Sequence, residues 1–323
     1  MRTFSGDGRW LSVMAALVAV EFGWWLIAWS LRIAPSPYLG TYLLASAAAL
    51  ATALAIHRAL GNGSERPSWT SIIAGSALIA AGSSLFLPLK YAIPNEVPFW
   101  LDGPLVRIEG FGGTHPWQLL DRLLGWATAP IDRIYGLWLP VQSIAVFSII
   151  VAAPSPAKSR ALIAYSLAWF VLGIAGATMF SSAGPIFFDR LYGGQQFAAL
   201  TETLRLRGAS IVLAESDAMW LSLTSGKPTI VAGISAVPSM HVAISLWILL
   251  AARAMAPRAS GYAFAYFLFI WIASVQLGWH YALDGLAGAL GMLAIWALAG
   301  VVDRALMRRG FGFRRSAAPS AAP

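Results

Sequence analysis

Long apolar stretches recur along the chain from Trp10 to Val302, and one bilayer crossing takes roughly 20 mostly apolar residues. In hydrocarbon every backbone N–H and C=O must find its partner within the protein, so only helices and closed barrels span a membrane. Runs this continuous lack the alternation of barrel strands. The expected fold is therefore all-α, a polytopic transmembrane helical bundle of about eight spans. The periodicity puts them at Trp10–Leu31, Tyr38–Leu60, Trp69–Ile93, Ile134–Ala153, Ala161–Phe180, Met240–Ala256, Gly261–Ala282 and Gly285–Val302. Between the last two, Trp279 to Gly285 reads either as the start of one helix or as a short turn.

Composition agrees. With 58% hydrophobic and only 11% charged residues, the chain lies outside the range of soluble domains. The net charge of +8 comes from basic residues scattered through short loops and the C-terminal tail, which reads as a topology signal and not as a nucleic-acid footprint. There is no cysteine, which excludes disulfides and thiolate metal sites. The first apolar stretch is longer than that of a cleaved leader and reads as a retained helix.

Lys and Arg fall mainly on one side of the alternating spans, including Arg2, Arg9, Arg58, Lys158, Arg160, Arg253, Arg304 and Arg308. The positive-inside rule then makes both termini cytoplasmic. The expected location is a bacterial inner membrane with the opposite face periplasmic. Two long segments, Pro94–Arg133 and Ser181–Ser239, fall on that outer face. Trp100, Trp117 and Trp126 in the first suggest elements lying in the headgroup layer. The chain divides into N-terminal helices with an outer interfacial segment (1–133), a membrane core carrying the chemistry (134–310) and a disordered cytoplasmic tail (311–323). Gly61-Asn62-Gly63-Ser64 reads as a turn.

Of four histidines, His241 and His280 sit at span ends on the same outer face. His241 follows Pro238, Ser239 and Met240, a helix start whose unpaired N–H groups make a phosphate seat. Asp284 is four residues after His280, so on a helix its carboxylate reaches the imidazole and fixes its tautomer. An oriented imidazole can attack phosphorus if another group protonates the leaving oxygen, and His241 can supply that proton. Ionisable residues at membrane depth are costly and mark function. The same three side chains could instead ligate zinc, although no further ligand accompanies them. A non-catalytic transporter or scaffold would also explain the hydrophobicity.

The run Gly233-Ile234-Ser235-Ala236-Val237-Pro238-Ser239-Met240-His241, followed by Leu277-Gly278-Trp279-His280-Tyr281-Ala282-Leu283-Asp284-Gly285-Leu286-Ala287-Gly288, resembles the second and third signature motifs of the phosphatidic acid phosphatase type 2 superfamily. The resemblance covers about Phe180–Gly288. It implies His280 as the phosphorylated nucleophile, Asp284 as its partner and His241 as general acid, with no metal or other cofactor in the step. The chain departs from the lipid phosphatases in three ways. It has Met240 where they have Gly, it has Ala273-Ser274 where they have Ser-Arg, and it lacks their first motif; Arg58 to Arg66-Pro67 has the wrong spacing and side for it. The pattern is more similar to the inositol phosphorylceramide synthase branch. That implies an inositolphosphotransferase-like enzyme acting on a membrane lipid with a small polar acceptor, or on the same lipid with water as acceptor. Something must replace the missing arginines around the phosphate. Ser239 and Met240 at the helix start, Arg190 after the Gly184-Pro185 turn, and Lys227 are the expected phosphate-binding residues. Arg205 and Arg207 are further candidates, and Arg133 is expected to pair with Asp132.

Overall fold

The computed structural model describes residues 7–32, 38–59, 67–110, 112–227 and 233–310; the turn read at Gly61–Ser64 and the tail 311–323 lie outside them. Among the described residues all regular structure is helical. The chain forms α1 (Gly8–Ser30), α2 (Leu39–Ala59), α3 (Trp69–Glu96), α4 (Asp102–Glu109), α5 (Pro116–Leu124), α6 (Thr128–Tyr135), α7 (Trp138–Val151), α8 (Pro156–Phe170) and, past a π-helical turn, α9 (Ala177–Met179). It continues with α10 (Pro185–Tyr192), α11 (Ala198–Leu206), α12 (Ser210–Ser225), α13 (Met240–Met255), α14 (Ser260–Gln276) and α15 (Ala282–Arg308).

Among the described residues six helices are long and apolar enough to cross a membrane, and a seventh crossing results if Pro116–Tyr135 and Trp138–Val151, bent by 45°, count as one. The sequence count of about eight includes α13, which is apolar but only sixteen residues long. It spans about 24 Å, against a hydrocarbon core of roughly 30 Å. The protein is an integral membrane protein.

The bundle has two chemically different ends. At one, where α1 begins, Arg9 Nε lies 2.7 Å from Asp303 of α15, and Lys158 of α8 lies 3.1 Å from Asp7. All four side chains are buried. Ser159 Oγ also donates to Asp303 at 2.6 Å, and the Trp10 indole to Asp7 at 2.9 Å. Arg9 and Lys158, read from sequence as loop charges, are thus built into the bundle. Fully desolvated charges persist only when paired and hydrogen-bonded, as these are.

At the other end the two long segments fold into α4–α6 and α10–α12 and cap the bundle. Acidic side chains stitch the cap together. Asp102 accepts from Ser182 Oγ (2.9 Å), Ala183 N–H (2.8 Å) and Gly184 N–H (3.0 Å). Asp132 accepts from the N–H groups of Ile211 (2.8 Å) and Val212 (3.0 Å), satisfying the first turn of α12. The expected Asp132–Arg133 pair is therefore replaced by a long-range cap, with Arg133 exposed. Trp100 and Trp126 are exposed, as suits a headgroup layer, but Trp117 is buried in the core. His115 precedes α5 and meets the Gln196 amide at 2.9 Å, a structural role.

Candidate active site

Alternating helices bring the end of α3, the start of α7, the start of α13, the end of α14 and the start of α15 to the capped end. At the start of α13, Ser239 Oγ accepts from Val242 N–H at 3.4 Å, and Ser239 N–H donates to the Asp284 carbonyl at 3.0 Å. The N–H groups of Met240 and His241, first in the helix, are left for a ligand. A Cβ on Gly288 would stand 2.4 Å from the Ser239 carbonyl oxygen, so only glycine lets α15 lie directly on this turn. The His241 ring stacks near-parallel on Tyr135, with centroids 5.0 Å apart, and packs against Trp138 at 4.2 Å. Trp138 Nε1 donates to the His241 carbonyl at 3.2 Å.

His280 does not share a helix with Asp284, as the four-residue spacing suggested. Gly278, with a φ of +73°, ends α14, and His280 sits in the turn before α15. Asp284, in the first turn of α15, folds back: its Oδ2 accepts from Tyr281 N–H at 2.9 Å and lies 3.4 Å from His280 Nδ1. That separation is a polar contact and not a formed hydrogen bond; such contacts tighten when substrate binds. With Nδ1 turned to the carboxylate, Nε2 forms the other edge of the ring. The two imidazole centroids are 5.6 Å apart.

Burial, reinforced by the Lys90 charge and opposed by the Ala236 carbonyl, holds the His280 imidazole down to about 3. The ring is therefore neutral at physiological pH, as a nucleophile must be. Glu109, at the end of α4, accepts from Leu283 N–H at 2.7 Å and anchors the first turn of α15. Burial pushes its carboxyl up, opposed by the Leu283 and Ala282 N–H groups and reinforced by the nearby charge of Asp284.

A cavity of about 330 Å³ opens beside the histidines, lined by His241, His280, Met240 and Lys90 and continuing inward between α1, α3, α7 and α8. Lys90 is the cation of this cavity, its stem packed so closely on Gly233 that a Cβ there would stand 2.9 Å from Lys90 Cγ. Lys90 is not among the phosphate-binding residues expected from sequence, which are Ser239, Met240, Arg190 and Lys227. The structure puts Arg190 on Asp217 at 2.6 Å and leaves Lys227 exposed, neither lining the cavity. Arg205 pairs with Glu202 at 2.6 Å and Arg207 with Asp121 at 3.3 Å. A lysine eight residues after Gly82, inside an apolar span, is a signal that could have been used, since a charge there needs a reason.

A neutral, oriented imidazole beside a second imidazole and a cation, all opening into an apolar cavity, suits phosphoryl transfer on a lipid. The PAP2 superfamily model matches residues 107–298, more than half of the chain, and the chain belongs to that superfamily. This points to a lipid enzyme of phosphatase or phosphotransferase type. No curated protein and no solved structure matches the chain.

Proposed function

We propose that the protein is a phosphotransferase that moves a phosphorylated head group from a membrane lipid to a small polar acceptor through a phosphohistidine at His280. The observation that carries this reading is the 5.6 Å approach of His241 and His280, with Asp284 behind His280, at the mouth of a cavity that runs into the bundle. The anionic phosphate beside His241 favours its imidazolium form; His280 Nε2 attacks phosphorus, the bond to the leaving oxygen breaks, and that imidazolium gives the oxygen its proton. The acceptor hydroxyl then attacks, gives its proton to His241, and the P–N bond breaks. Lys90 and the Met240 and His241 N–H groups are the donors for the equatorial oxygens; Ser239 acts by capping. Arg190 and Lys227 remain proposed as outer, acceptor-side cations.

The absence of the two arginine motifs supports transfer over hydrolysis. The inositolphosphotransferase-like branch, a bacterial inner membrane and a periplasmic active site belong to the same proposal. The test incubates purified protein in detergent with lipid phosphates and phosphoinositides, with and without free inositol. New lipid made only when the acceptor is present supports transfer; phosphate release alone supports hydrolysis; neither removes both.

The Lys90 assignment makes its own expected result. With His280 neutral down to about pH 3, activity due to this group is present above that region and lost as the pH falls through it. Lys90→Met removes the like charge, so the acid limb of kcat/KM moves to higher pH. It also removes a charged phosphate donor, raising KM about tenfold. Superimposable pH profiles and an unchanged KM would remove Lys90 from the site.

A further inference from the structure

The cavity does not end at the histidines. Its inner wall includes Glu21, in the middle of α1, whose side chain belongs to a residue only 5% exposed. Among the described residues Glu21 has no hydrogen-bond or ion-pair partner. Its carboxyl lies against α3, where a Cβ on Gly82 would stand 3.5 Å from Oε2; a larger residue at 82 would crowd it. Two other polar groups on the same wall are already engaged. Tyr165 donates to Gln142 Oε1 at 2.8 Å, and Ser166 to the Leu162 carbonyl at 3.0 Å. A carboxyl in the middle of a span is expensive where hydrocarbon surrounds it, and the cavity that Glu21 lines is the route by which a donor reaches it.

From this geometry we infer that Glu21 is a second recognition point for the lipid, binding a neutral hydrogen-bond donor carried on its chain. The inference rests on the reading above in one respect, that the phosphate sits at the histidines. Gly82 and Lys90 are eight residues apart on α3, two helical turns or about 12 Å. A lipid held by its phosphate at Lys90 therefore brings the part of its chain several atoms beyond the phosphate to Glu21. A chain hydroxyl or amide N–H at that depth donates to the carboxyl, while a plain hydrocarbon chain leaves it unsatisfied. A site built around a buried polar group discriminates against ligands that lack the complement. The cavity thereby selects lipids by the chemistry of the chain as well as by the head group.

The experiment uses matched alkylglycerol phosphates, one plain and the others carrying one hydroxyl moved stepwise along the chain. Their binding to the full-length protein is measured in micelles by displacement of a fluorescent lipid, and turnover is followed in the same samples. Wild type is expected to bind the best-placed hydroxyl about tenfold more tightly than the plain chain. Glu21→Leu, which leaves α1 more apolar and so favours insertion, binds both alike, whereas Glu21→Gln keeps much of the preference. No preference at any position in wild type, the same preference in Glu21→Leu, or no binding of either lipid overturns the inference. Glu21-dependent binding without turnover would leave it standing and remove the catalytic reading instead.

Discussion

Replacing His280 by Ala is expected to lower phosphoryl transfer by on the order of 10⁴-fold or more, since removing a covalent nucleophile leaves only binding and charge stabilisation. The substitution acts at a buried turn, so thermal unfolding of the variant must accompany the assay. The decisive readout is the intermediate. A labelled lipid phosphate quenched under alkaline conditions should leave phosphate on wild-type protein and none on His280→Ala. His241→Ala provides the contrast: it loses about 10²–10⁴ on a lipid substrate, whose leaving alkoxide needs a proton. With an aryl phosphate, whose leaving group needs none, it should still become phosphorylated. Retention of more than about a tenth of the activity by a folded His280→Ala protein would exclude the nucleophile role, because general acid–base help alone is worth more than that.

Asp102→Ala is expected to be the most damaging change away from the reacting groups. The Asp102 side chain is buried and holds three donors of the Ser182–Gly184 turn. That turn in turn holds both histidine loops. Ser182 accepts from Ala236 N–H at 2.7 Å, upstream of His241, while Ile186 N–H donates to the Gly278 carbonyl at 2.9 Å, upstream of His280. Gly184, with a φ of +96°, lies so close under Trp279 that a Cβ would stand 2.4 Å from its carbonyl oxygen. Alanine at 102 strands the three donors, at a cost of about 3 kcal/mol or more. The melting temperature in detergent should fall by several degrees, and activity should fall with it at temperatures where the cap has loosened. Asp102→Asn, which keeps an acceptor but turns an amide towards one N–H, should lie between. An unchanged melting curve together with full activity would show that the cap is not held through this carboxylate.

The helices were legible because apolar continuity is a property of each segment alone, and hydrocarbon leaves a segment little choice of conformation. The pairing of His241 with His280 was legible for a similar reason: both lie at span ends, and alternation assigns span ends to faces. What sequence did not reveal depends on partners far away in the chain. Asp102 meets residues 80 to 82 positions later and Glu109 meets one 174 positions later. Nothing local marks either as a structural hub. Arg190 follows a glycine-proline turn that could have aimed it at the histidines, but a turn fixes where a chain bends and not which carboxylate the side chain then finds. Lys90 escapes a sequence reading because a lone charge near a span end reads as a boundary. The turn at His280 came out differently from the helical spacing because Gly278 adopts a conformation that ends α14 before the motif is complete.

The buried ion pairs at the far end of the bundle bear on how the protein is made. Asp7 meets a lysine 151 residues further on, and Arg9 meets an aspartate 294 residues further on. Synthesis proceeds from the N-terminal side, so these two side chains are made before the lysine and the aspartate that pair with them. Asp7 gains its lysine only once α8 has been delivered, and Arg9 its aspartate only once α15 has. These two ion pairs therefore form only after α8 and α15 have been made, and this end of the bundle closes late.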